Sequence, residues 1–163
     1  MASRKKTTAR GKSGAKRATS AKKAPRARTQ SKGLTLKSVG PSFTVNDLAK
    51  SLAWYQDVLG CVVKDRWESD GKLMGVEMGA GAVTIMLSQD DWKKGRDRVK
   101  GEGFRLFCDT TQDVDRLADQ IKARGGALLH EPMDEPWGAR SVSVADPDGF
   151  KISIFSKTKG RSR

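Results

Sequence analysis

Val45-Asn46-Asp47-Leu48 opens a helix-like run that closes at Leu59-Gly60, and Cys61-Val62-Val63 follows. At an offset of 66 residues the pattern returns: Thr111-Gln112-Asp113-Val114 leads a similar run to Gly125-Gly126, then Ala127-Leu128-Leu129. Asp47 matches Asp113, Leu48 matches Val114, Tyr55 matches Ile121, Gly60 matches Gly126 and Val62 matches Leu128. An internal repeat settles architecture before any single residue does. The core is therefore read as two copies of one strand–helix–strands unit, and two such units set face to face can enclose a cleft that one alone could not.

Working outward, Lys37 to Val45 reads as a strand, with Phe43 and Val45 on one side and Ser42 and Thr44 on the other. Gly40-Pro41 marks an edge or an irregular start. Asn46 is the expected N-cap, with Asp47 in the first turn. Leu48, Leu52, Tyr55 and Leu59 share one helix face, and Gly60 ends the helix in a left-handed conformation. Strands are expected at Cys61–Glu68, Lys72–Met78 and Ala82–Ser88, with Asp70-Gly71 as a hairpin turn. A polar loop over 89–102 joins the units. The second then runs as a strand at Gly103–Asp109, a helix at Gln112–Arg124 and a strand at Ala127–Glu131. A loop at Pro132–Gly138 and strands at Ala139–Ala145 and Phe150–Ser156 complete it. The fold class is α+β, with module one at about 34–88 and module two at about 103–156.

The formal net charge of +13 is unevenly placed. Residues 1–33 hold twelve Lys/Arg and no acid: Arg4, Lys5, Lys6, Arg10, Lys12, Lys16, Arg17, Lys22, Lys23, Arg26, Arg28 and Lys32. This segment has no Leu, Ile, Val, Phe, Tyr or Trp, so it has nothing to bury and is expected to be disordered. It has no apolar h-region, so a secretory signal is not expected. Residues 157–163 add four cations, while 34–156 holds 16 basic and 19 acidic residues. The middle is an ordinary, slightly acidic globular domain between two basic tails. No run approaches membrane-spanning length, so no membrane partner is expected and the location is read as cytoplasmic. Cys61 and Cys108 read as small residues packed in a reducing compartment.

The opening run Val45-Asn46-Asp47-Leu48 through Trp54-Tyr55 and Leu59-Gly60 resembles the start of a vicinal-oxygen-chelate module. Pro136-Trp137-Gly138-Ala139-Arg140 and Asp146-Pro147-Asp148-Gly149-Phe150 resemble its closing signature. This is the superfamily of glyoxalase I, bleomycin and fosfomycin resistance proteins and extradiol dioxygenases. The resemblance implies paired βαβββ modules whose sheets curl around a ligand cleft, and a homodimer, as in many members. Metal-using members place a ligand on the first strand and a Glu on the last strand of each module. There a divalent ion binds neighbouring substrate oxygens. By the resemblance these positions fall on Gly40 and Met86 in module one. In module two they fall on Ser153 and on Leu106, or on Arg105 if the register slips by one. The slip would turn Leu106 and Cys108 toward the helix. None of these residues is an ordinary divalent-metal ligand.

The departure favours the bleomycin-resistance style of function: no cofactor, and a cleft that binds a small molecule by shape, aromatic faces and a few polar groups. The expected ligand-binding set is Ser42, Thr44, Trp67, Met86, Arg105, Trp137 and Ser153, with Trp67 and Trp137 as stacking surfaces and Arg105 as an anion contact. Core packing is the competing role for each Trp, and Trp54 is expected in the core or at a dimer contact. Catalytic residues are unknown; the only His, His130, and Glu77 are the remaining acid/base candidates. The alternatives are a metal-dependent lyase or dioxygenase-type enzyme, such as a lactoylglutathione-lyase-like protein, and a nucleic-acid-associated protein working through its basic arm. Gly79-Ala80-Gly81 lacks the context of a dinucleotide fingerprint, Asp146-Pro147-Asp148-Gly149 is a turn, and Lys93–Lys100 is a solvated loop.

The arm's composition points to phosphate binding without sequence preference, through counterion release, and to nucleoid association. Removing residues 1–33 is expected to abolish salt-sensitive retention on a DNA column and leave the fold intact by circular dichroism. Equal retention of the truncated chain would show that the arm does not carry it.

Overall fold

Alternating apolar and polar residues build β1 (Ser42–Val45), whose Phe43 and Val45 are buried while Ser42 and Thr44 stay exposed. The structure is a computed structural model that describes residue 34 and residues 36–157; the basic N-terminal arm and residues 158–163 lie outside the described residues. After β1 come α1 (Leu48–Asp57), β2 (Val62–Ser69), β3 (Lys72–Ala80) and β4 (Val83–Gln89). The second unit repeats the order with β5 (Arg105–Asp109), α2 (Val114–Ala123), β6 (Leu128–Glu135), β7 (Ala139–Ala145) and β8 (Lys151–Lys157). The chain forms two four-stranded sheets, β1-β4-β3-β2 and β5-β8-β7-β6. In each, the first strand runs parallel to the last and the other pairings are antiparallel. The α+β fold read from the repeat is the fold observed.

Several boundaries differ from expectation for identifiable reasons. The α1 N-cap is Asp47, not Asn46: its carboxylate accepts the Lys50 N–H at 3.0 Å. Asn46 is held outside the helix by its own N–H donating to Asp148 at 2.9 Å and its carbonyl accepting from Gln89. Asp113, the repeat partner of Asp47, caps α2 in the same way, through the Arg116 N–H. Gly60 ends α1 with φ +72°, but its counterpart is Gly125 (φ +80°), one residue short of the repeat offset. Gly126 instead marks a close approach, since a Cβ there would stand 2.5 Å from Val58 Cγ1. β1 begins at Ser42 because Pro41 offers no N–H; its carbonyl still accepts from Met86 N at 2.9 Å. β6 continues through Pro132, which had been placed in a loop. It is an edge strand, and the register shift between His130 and Met133 takes the proline out of the ladder.

The helix stripes decide how the units meet. Leu48, Leu52 and Tyr55 of α1 are buried in one cluster with Val76, Met78, Ile85 and Leu87 of their own sheet. Ile121, Val144 and Ile152 of the second unit belong to the same cluster. Phe43 stacks on Phe150 across the units, with centroids 4.4 Å apart, and Trp54 lies edge-on to Tyr55. The helix-bearing faces are thus the shared interior. Polar bonds close it: Tyr55 Oη donates to Asp146 at 3.1 Å in a buried bond, and Ser51 Oγ donates to Asp148 at 3.2 Å. Asp146 also accepts from the N–H groups of Asp148 and Phe150, so the turn between β7 and β8 is latched to α1. A buried hydrogen bond to a carboxylate contributes about 1.5–3 kcal/mol.

Between β4 and β5, residues 93–99 are exposed, as the solvated-loop reading of Lys93–Lys100 expects, and only Lys100 departs from it. Asp90 is buried and pairs with Lys100, whose side chain is 5% exposed, at 2.6 Å, and with the exposed Arg98. Arg96 and Lys100 flank the Trp92 ring at 4.6 and 5.5 Å. The Lys100 hydrogen bond, then the Trp92 N–H and Arg98, holds the Asp90 carboxyl well below the ordinary carboxylate range. A depressed folded-state pKa contributes stability above the unfolded value, about 3.9, and that stability is lost as pH falls below it. The Tm of the wild type is therefore expected to drop more steeply below about pH 4 than that of Asp90→Asn. Parallel Tm–pH curves for the two proteins would show that the pair does not stabilise the fold.

Candidate functional site

Each sheet has a second face that no helix covers, and strand register sorts its residues into rows. On the first sheet one row reads Ser42, Met86, Glu77 and Asp65, and the next Thr44, Ser88, Gly75 and Trp67. A Cβ on Gly75 would sit 2.6 Å from Trp67 Cε3, so only glycine lets the indole lie over β3. The ring stays 39% exposed. A Cβ on Gly40 would meet Met86 Cε and Thr84 Oγ1 at 3.7 Å, which places Gly40 beside Met86.

On the second sheet the rows are Arg105 with Lys151, then Phe107, Ser153, Ser143 and His130, then Asp109, Phe155, Ser141 and Met133. Leu106 and Cys108 pack toward the shared core, so Arg105, not Leu106, lies on the open face. Ser42 opposes Met86 as Phe107 opposes Ser153, which makes Arg105 the counterpart of Gly40. Arg105 Nη1 donates to Ser153 Oγ at 2.6 Å and to Ser143 Oγ at 3.3 Å, and the two serine hydroxyls lie 2.7 Å apart. Ser143 and Ser153 are 1% and 3% exposed. Beside them Phe107, Phe155 and Trp137 form an aromatic cluster: Trp137 meets Phe155 edge-on at 5.0 Å, and Phe107 lies 5.3 Å from Phe155. Phe107 and Trp137 remain 61% and 51% exposed. His130 Nδ1 lies 3.0 Å from the Glu131 carbonyl oxygen, and Glu77 is half-buried beside Met86.

The expected binding residues thus fall into two groups, Ser42, Thr44, Trp67 and Met86 on one face and Arg105, Trp137 and Ser153 on the other. None of the seven lines the cavity of about 660 Å³ between the modules. That cavity lies between the sheets' other edges and is walled by Cys61, Ile85, Cys108, Leu117, Ile152 and Ile154, with Thr110, Thr111 and Gln112 among its polar groups. The seven residues expected around one cleft are thus divided between two faces. Burying both helix stripes in one core turns the open faces away from each other. The sequence reading also passed over Phe107, Phe155, Ser141 and Ser143. The alternation in Arg140-Ser141-Val142-Ser143-Val144, and the one-residue slip on β5, carried the signal for them.

A family model, the Glyoxalase/Bleomycin resistance protein/Dioxygenase superfamily, matches residues 36–154. The chain belongs to this superfamily. It is 31% identical to a probable lactoylglutathione lyase of Synechocystis, over 68% of this chain and 88% of that protein. It is 29% identical to a bleomycin resistance protein of Geobacillus stearothermophilus, over 73% of this chain and 96% of the relative. It spans only 42% of the length of some plant relatives described as lactoylglutathione lyases. Among solved structures, a glyoxalase/bleomycin resistance protein/dioxygenase from Nocardioides has a similar fold, with TM-score 0.63 and 17% identity over 80% of this chain and 89% of that one.

The superfamily's divalent metal can be tested against the donors at its positions. Gly40 offers no side chain, Met86 a thioether, Ser153 a hydroxyl and Arg105 a permanent cation. This set does not fit a divalent ion, which takes carboxylate oxygen or imidazole nitrogen. Among the described residues, no group of three or more His, Cys, Asp and Glu is placed to hold a metal, and no helix is long and apolar enough to cross a membrane.

Both thiols face the cavity between the modules. Burial, then the neighbouring Cys108, pushes the Cys61 thiol up to about 11, and burial raises that of Cys108 as well. A protonated, enclosed thiol is a poor nucleophile. Cys61 is expected to resist iodoacetamide at pH 8 in the native protein and to react fully in guanidinium, read by mass spectrometry. Rapid native alkylation of Cys61 would show that this wall opens freely.

Proposed function

We propose that this protein binds a small planar molecule on the open faces of its sheets, without a divalent metal at the superfamily's positions. One observation carries the reading: an arginine held by two buried serines stands at one of those positions, beside three aromatic rings. A fixed cation there repels a divalent ion. Exposed rings that contact one another offer a ready stacking platform, each aromatic pair being worth about 0.5–1.5 kcal/mol beyond area burial. Likeness to a bleomycin resistance protein supports a binding role. The second reading, lyase chemistry, is favoured by likeness to a probable lactoylglutathione lyase and opposed by the donor set.

The two half-sites belong to different faces, which favours a homodimer in which the Trp67 face of one copy meets the Arg105 face of another. Each composite site would then draw Ser42, Thr44, Trp67 and Met86 from one chain, and Arg105, Trp137 and Ser153 from its partner. Glu77 and His130 would stand at the edges of that site, and neither is needed for binding. The nucleic-acid role of the N-terminal arm is a separate proposal resting on its composition alone.

Protein incubated with nickel, zinc, manganese or iron(II), then desalted, is expected to retain far less than one equivalent of metal by mass spectrometry. Polycyclic aromatic ligands are expected to raise the Tm of the wild type and to do so less for Trp137→Ala. Near-stoichiometric metal would overturn the metal-free reading and return lyase chemistry to first place.

A further inference from the structure

The hydrogen-bond inventory around Arg105 specifies what the ligand carries. Ser143 and Ser153 are buried, and their hydroxyls bond to each other at 2.7 Å. That contact uses one hydroxyl proton. The lone pairs facing Arg105 are taken by its Nη1. Whichever serine donates to the other, one buried hydroxyl proton has no acceptor among the described residues. A buried donor left unpaired is costly, so the site demands an acceptor from outside. The guanidinium adds to the same demand. It has five N–H donors, and its hydrogen bonds among the described residues come from Nη1. Among the described residues neither Arg105 nor Lys151, its row neighbour, has a carboxylate within ion-pair distance.

The carboxylates of the face do not fill the gap. Asp109 is four residues along β5 from Arg105, about 13 Å at the rise of a strand. Glu135 already accepts from Ser141 Oγ. Phe107, by contrast, directly opposes Ser153. Phe107 thus stands one strand spacing, roughly 4.8 Å, from the serine that holds the guanidinium.

We propose that the open face of the second sheet selects aryl carboxylates: the ring rests against Phe107, Phe155 and Trp137, and the carboxylate accepts from Arg105 and from the free serine hydroxyl. This rests on the binding function proposed above and names its ligand class. A carboxylate matches the planar fork of a guanidinium, and a ring bearing it directly spans the spacing between Ser153 and Phe107. The fixed charge of Arg105 takes over, at one edge of the site, the attraction for ligand oxygens that a metal gives elsewhere in the superfamily.

The full-length protein would be titrated with 2-naphthoate and with its neutral isostere 2-naphthamide, followed by tryptophan fluorescence and calorimetry. The wild type is expected to bind the acid on the order of tenfold more tightly than the amide. Arg105→Gln is expected to erase that preference while keeping the weaker amide affinity, and Arg105→Lys to restore part of it. Trp137→Ala is expected to weaken both ligands alike. Equal binding of acid and amide by the wild type would overturn the carboxylate assignment and leave the aromatic platform standing. Binding of neither would overturn both. A preference that survives in a folded Arg105→Gln, with the Tm of the wild type, would also overturn the assignment.

Discussion

Everything else in this structure follows from the need to bury two amphipathic helices. Each helix packs its stripe on its own sheet, α1 on β3 and β4 and α2 on β6, β7 and β8. The two units also share an interior, with Tyr55, Phe43, Met78, Ile121, Val144 and Ile152 in one cluster, while Val114, Ala118 and Val142 form a second. The bond from Tyr55 to Asp146, and those from Asn46 and Ser51 to Asp148, satisfy the polar groups where the units meet. Burial raises the Asp146 carboxyl and pushes the Tyr55 phenol up as well. Two backbone N–H groups and the phenol are the donors that make a carboxylate tolerable there.

A functional consequence comes with this packing. When the helix-bearing faces form the interior, the remaining faces look outward and carry whatever chemistry the protein has. On the first sheet that chemistry is polar and small, with one indole laid over Gly75. On the second it is a cation on a serine pair next to three rings. The two copies of the repeat differ on these outer faces, while their inner faces obey the same packing rule.

By the resemblance, metal-using members hold four donors on the first and last strands of the two modules. Here those positions hold Gly40, Met86, Arg105 and Ser153. A fold can keep its frame while its site changes, because the site residues sit on the outer faces and contribute little to the core. At one of them the Arg105 guanidinium is held by two buried serine hydroxyls.

The element order, the stripe of Leu48, Leu52 and Tyr55, the aspartates that lead both helices and the two basic tails were all legible in the sequence, because they depend on residues close together in the chain. The resemblance pointed to Gly40 and Met86, and the repeat offset carried those positions to module two. It wavered at Leu106 and Arg105, since one residue more or less in a strand flips every side chain to the other face and only the pairing with β8 settles it. Ser143 and Phe155 went unnoticed because their importance lies in partners across the sheet: Ser143 gains its role from Arg105, 38 residues away. Which faces of the two modules meet was likewise decided by tertiary structure alone. The sequence determined that each unit has one face to bury, and only packing determined that they bury it against each other.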